Sequence, residues 1–225
     1  VFPVRDRLAR QILFAGADAI PFTMLVAGLI GAGVYMQCLL WLEFTGRVEF
    51  LGQMVAVLLF RELAPFLSTF IVIGASASAI TTELANMKTS GEVALLEAQG
   101  INIFQYLAVP RMVGLAICVL GLSVIFVAVS IAAAGLGFLL FGDAGSDPIP
   151  FLNSVFEALN YRDWLSLVVK SIFPGLFMGA ICCYEGLRVG GASTEVPQAV
   201  SRAILRSISA AVVIYVMVIV VIYQL

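Results

Sequence analysis

The chain has 225 residues, 62% of them hydrophobic and only 12% charged, with a formal net charge of −2. A soluble domain is about 45–50% apolar and about 25% charged, so water-soluble classes are excluded and a bilayer is the expected solvent for the outward faces. The length suffices for one membrane domain, read as a single unit over 1–225, and is too short for a bundle plus a large soluble domain.

Chain order begins with Val1, so the native start is expected upstream, and no basic–apolar–AxA signal peptide is visible. Val4–Asp18 sets Arg5, Arg7 and Arg10 beside Leu8, Ile12, Leu13 and Phe14, the pattern of an amphipathic helix lying along a membrane surface. Residues 1–18 are assigned to that interfacial helix and 19–225 to a transmembrane bundle.

Four stretches, Ala19–Leu42, Leu63–Thr82, Met112–Gly142 and Ser207–Leu225, hold no Asp, Glu, Lys or Arg. Each approaches or exceeds the roughly 20 residues that cross a hydrocarbon core, and a fifth, Trp164–Tyr184, is interrupted only by Lys170. Backbone groups in lipid must pair within their own segment, so all five are predicted helical. Span one carries Gly28, Gly31, Ala32 and Gly33, a strip of small residues that permits close helix approach. Span two is read as Leu51–Met87, roughly 55 Å as one helix, so it tilts, bends at Pro65 or continues into water. Its run Gly74–Ala79 is again small, and suits helix packing, including packing against a second copy.

Thr89 and Glu92 have capping-box spacing, which predicts a short surface helix over Ser90–Gln99 that stops at Gly100. Span three starts near Pro110 and runs to about Phe141; Gly142–Asp163 reads as a polar loop. Span four, Trp164–Tyr184, has Gly175 and Gly179 in GxxxG spacing, and span five is Ser207–Leu225. With five spans and the N-terminus inside, Arg5, Arg7, Arg10, Lys88, Arg111, Arg188, Arg202 and Arg206 lie inside, against Arg47 and Arg162 outside.

Several chemistries lack their residues. There is no histidine, no GxxxxGK[ST] phosphate loop and no CxxC pair; Cys38, Cys118, Cys182 and Cys183 all fall in apolar spans and read as small hydrophobes. No metal site, catalytic set or nucleic-acid surface is therefore expected. Arg61-Glu62 and Lys170 are charges at membrane depth, each four residues before a proline (Pro65, Pro174) that leaves a carbonyl free: those of Arg61 and Lys170. They read either as a polar patch in a substrate cavity or as a structural set near an interface.

Residues 61–111 resemble the MlaE permease family, the membrane subunits of MCE-associated lipid ABC transporters. Arg61-Glu62-Leu63-Ala64-Pro65 is similar to its Arg-Glu-Leu-Gly-Pro; Ser78-Ala79, Thr81, Glu83 and Met87 match its small-residue stretch; Glu97, Gly100-Ile101-Asn102 and Pro110-Arg111 match the segment that follows. Tyr215, on a looser match, stands where the family has an Asp in the last span, and Ala75 stands where it has an Arg. The resemblance implies a permease homodimer, here packed through Gly28, Gly31, Gly74 and Ser78, with a cytosolic ATPase dimer that binds ATP and Mg. It implies an MCE-domain protein on the outer side, a phospholipid pocket with Arg61, Glu62, Pro65, Lys170 and Tyr215, and a bacterial inner-membrane location. It also implies a cytoplasmic coupling helix between spans two and three, its contacts at Glu83, Lys88, Glu92, Leu96, Glu97 and Gly100. This chain would bind no cofactor and would not be an enzyme. An ion-coupled secondary transporter using Arg61, Glu62 and Lys170 is the alternative reading of the residues.

Overall fold

The computed structural model describes residues 16, 19–45, 50–141, 148–190 and 192–224, and among these the chain is all-helical, without strands. Helix α1 is Ile20–Thr45. Helix α2 is the continuous run Leu51–Thr89, and α3 is the short helix Glu92–Ala98. Helix α4 opens with the π-turn Phe104–Ala108 and continues as Val109–Phe141. Helix α5 is Pro148–Glu157, α6 is Tyr161–Leu187 and α7 is Val196–Gln224. Five helices, α1, α2, α4, α6 and α7, are long and apolar enough to cross a membrane, so the chain is a multi-pass membrane protein. The predicted interfacial helix over 4–18 lies outside the described residues, apart from Gly16, which is helical.

Two of the wide turns follow from prolines. A proline has no N–H and crowds the carbonyl four residues back. The π-segment Val57–Leu63 ends just before Ala64-Pro65, and the π-segment Phe104–Ala108 ends just before Val109-Pro110. In each, the wider turn moves that carbonyl aside, and a new α-helical segment starts with the proline in its first turn, where no N–H is needed. Span two thus stays unbroken past Pro65. A third π-segment, Ile73–Ala77, holds the small residues Gly74, Ala75 and Ser76.

Helix α4 is the central post. Val72, Ile80 and Leu84 of α2 pack with Leu115, Val119 and Leu122 of α4, with Met178 and Cys182 of α6, and with Ala203 and Ala211 of α7. Toward the other end, Tyr35 and Cys38 of α1, Val55 and Leu59 of α2, and Ile131 and Ala134 of α4 enclose Phe151 and Val155 of α5. Glycines set the closest approaches. A Cβ on Gly175 would lie 2.6 Å from Cα of Ala116, and one on Gly179 would lie 2.6 Å from Cα of Met112, so the GxxxG spacing seats α6 on α4 within the chain.

Four local expectations are corrected. Thr89 is the last residue of α2, so it is still helical and cannot act as an N-cap; its hydroxyl donates back to Asn86 O at 3.0 Å, and Gly91, at φ 80°, precedes α3 instead. Helix α3 is accordingly shorter at its start than Ser90–Gln99. The stretch Gly142–Asp163 is not all loop: Phe151 and Val155 bury one side of α5 against α1 and α2, while Asn153 and Glu157 are exposed. Span five starts at Val196, well before Ser207, because Arg202 and Arg206 both pair with Glu185 of α6 rather than marking a loop. Gly100 ends α3 as expected: at φ 75° it donates to Glu97 O at 2.9 Å while Ile101 N–H reaches Leu96 O at 3.1 Å, the paired bonds of a Schellman stop.

Candidate functional site: a charged cluster between spans two, four and five

Helix α6 presents Asp163, Ser166, Lys170 and Ser171 on one buried face, at helical spacing. Asp163 fixes its start: the Asn160 N–H donates to Asp163 Oδ2 at 2.8 Å, closing the first turn. The same carboxylate takes a fork from span two, with Arg61 Nε 2.5 Å from Oδ1 and Nη2 donating to Oδ2 at 3.1 Å. Two turns further along α6, Lys170 is completely buried and donates from Nζ to Glu62 Oε1 at 2.9 Å and to the Arg61 carbonyl at 2.9 Å. That carbonyl is the one Pro65 leaves without its helical donor.

Arg61 and Glu62 therefore do not pair with each other. Each is held by α6, and the four charges Arg61, Glu62, Asp163 and Lys170 balance. Burying an unpaired ammonium would be prohibitive, and Lys170 finds both Glu62 and the carbonyl as partners. It does not snorkel to a headgroup layer. Glu62 keeps 41% of its side chain exposed and Arg61 keeps 25%, so these two are the accessible members. Tyr215 of α7 joins them: its ring centroid is 6.0 Å from Lys170 Nζ, its hydroxyl is 3.4 Å from Thr69 Oγ1, and its ring meets Phe66 edge-on at 5.1 Å. The structure brings Arg61, Glu62, Pro65, Lys170 and Tyr215 together. Asp163, Thr69 and Phe66 belong to the same cluster and were not singled out from sequence. The proline-to-charge offset offered no signal for Asp163, although its three-residue spacing from Asn160 was a legible cap.

The residues expected to couple to an ATPase are spread along the α2–α3–α4 corner. Glu92 and Glu97 are exposed on α3, whereas Leu96 packs against the main core and Leu95 is the exposed leucine, at 64%. Glu83 is tied to Arg111 at the start of α4, 2.7 Å away. Of the four residues expected at a dimer contact, Gly31 lies against the Ser130 backbone of its own chain, while Gly28 and Gly74 face open space and Ser78 is half-buried in α2.

The permease MlaE family model matches residues 8–221. The chain belongs to this family. Curated relatives agree: it is 28% identical over 199 residues to a probable ABC transporter permease protein of Pyropia yezoensis, covering 88% of this chain and 75% of that protein. Probable ABC transporter permease proteins of Rickettsia typhi (28% identical over 207 residues, 89% of this chain and 76% of the relative) and Synechocystis (25% over 208 residues, 92% and 78%) are similar over nearly the same span. The chain is thus a permease subunit of the ABC-transporter class, and the match extends well past residues 61–111, where the motifs are dense. In this MlaE permease, the charged cluster joins spans two, four and five at one depth.

Proposed function

We propose that this MlaE permease moves phospholipid between the bacterial inner membrane and an MCE-domain partner, as a homodimer driven by a separate ATPase that binds ATP and Mg. The observation that carries this reading is the charge-balanced cluster at membrane depth with one carboxylate, Glu62, and one guanidinium, Arg61, left accessible beside Tyr215. An intramembrane cluster that is neutral overall, yet offers both signs at its edge, suits a zwitterionic headgroup: the ammonium on Glu62 and the phosphate on Arg61. The apolar groove between α6 and α7, with a volume of about 600 Å³ and walls including Val169, Phe173, Phe177, Val213 and Met217, suits acyl chains beside it.

Helix α3, with Glu92, Leu95 and Glu97 exposed, is the element proposed to dock into the ATPase, on the cytoplasmic side with the N-terminus. ATP-driven class membership weighs against the ion-coupled alternative. The direct test is affinity purification of the native complex in mild detergent, with mass spectrometry of co-purifying proteins and lipids. An ATPase, an MCE-domain protein and bound phospholipid are expected. Recovery of the chain alone across several detergents would reject the assembly, and recovery of the assembly without phospholipid would reject the substrate.

A further inference from the structure

A second groove lies at the end of the bundle that carries α3, its α6 wall running from about 15 to 27 Å along the helix from Lys170. It has a volume of about 380 Å³ and runs between the start of α4 and the end of α6, walled by Phe104, Ala108, Ala180, Cys183, Tyr184 and Leu187, with Arg188 at its edge. The gap has a local cause. The π-turn before Pro110 carries Phe104 outward to 62% exposure, and the small side chains of Ala108 and Ala180 leave space between the two helices.

Charge at this edge is unbalanced. Arg188 lies 5.9 Å from the Tyr184 ring and has no carboxylate within ion-pair distance among the described residues. Glu185, three residues earlier, is fully buried and already held by both Arg202 and Arg206. One turn on from Ala108, the buried Arg111 binds Glu83 through Nη2 and leaves Nη1 without a hydrogen-bond partner. The end of a span long enough to cross the core is level with lipid headgroups, and cations there attract anionic lipid.

We propose that this groove is a phospholipid site separate from the charged cluster, taking one acyl chain between α4 and α6 and an anionic headgroup on Arg188. A free anion would gain nothing from the apolar walls, and a peptide would bring unpaired backbone groups against them. A lipid satisfies both parts of the site. Its occupant clasps α4, the helix that follows α3, to α6. The inference stands on the membrane fold and does not depend on the transported cargo.

The test is photo-crosslinking of the purified protein, in nanodiscs, with phosphatidylglycerol carrying a diazirine on its acyl chain, mapped by peptide mass spectrometry. Labelling is expected on the peptides that contain Phe104 and Tyr184, and it should exceed that from the matching phosphatidylethanolamine probe. Arg188→Ala should lower it roughly fivefold, Arg188→Lys should keep most of it, and Ala180→Phe should abolish it by filling the groove. Wild-type labelling spread over all lipid-facing helices, or unchanged in both Arg188→Ala and Ala180→Phe, would overturn the site. Equal labelling by the two probes would overturn the anionic headgroup.

Discussion

Lys170 donates to the main-chain carbonyl of Arg61 at 2.9 Å, across the interface between span four and span two. The acceptor is the carbonyl that Pro65 cannot serve, so a helix-breaking residue in one span and a buried cation in another compensate each other. Glu62 completes the arrangement by accepting from the same ammonium.

Lys170→Met is expected to destabilise the fold by about 2–3 kcal/mol, between the values for exposed and fully buried pairs, because Glu62 remains partly exposed. Thermal unfolding in detergent, followed by fluorescence, measures it. The double variant Lys170→Met with Glu62→Gln should recover part of the loss, since no unpaired carboxylate remains. A Tm for Lys170→Met equal to that of the wild type would mean the pair contributes nothing.

Pro65→Ala supplies an N–H that competes with Lys170 for the Arg61 carbonyl. Stability should change by no more than about 1 kcal/mol. Span two should become more regularly helical, and ATP-dependent lipid transfer should fall several-fold as Arg61 and Glu62 rotate from α6. Transfer at the wild-type rate would show that the π-turn is only structural.

Gly175→Leu should disrupt the monomer by about 3 kcal/mol or more, because its side chain would enter the backbone of Ala116. Gly74→Leu faces open space and should leave the monomer folded. If Gly74 packs against a second copy, as proposed, its variant elutes as a smaller species on size exclusion. A dimer unaffected by Gly74→Leu would move that contact elsewhere.

Glu97→Lys on α3 reverses an exposed charge without touching the core. Lipid transfer driven by ATP should be lost while the permease dimer persists on size exclusion. Retained transfer would remove α3 from the coupling role.

Much of the architecture was legible because the bilayer imposes a simple code. Uncharged stretches of spanning length located the five helices, whereas Pro65 and Pro110 pointed to a candidate bend and to a span start, not to the wide turns that precede them. Span five was cut short because Arg202 and Arg206 look like a solvated loop until Glu185 is seen beneath them. Helix α5 was missed because its ten residues, with two prolines, are too short to span a bilayer and its burial depends on α1 and α2.

The sequence by itself determined the class of solvent, the number of spans and the residues too costly to sit in lipid without partners, since these follow from local composition and backbone hydrogen bonding. Only the tertiary structure decided which partner each charge takes. Arg61 and Glu62 are adjacent in sequence yet are held by Asp163 and Lys170, because adjacent residues on a helix point apart and only a neighbouring helix can reach them both.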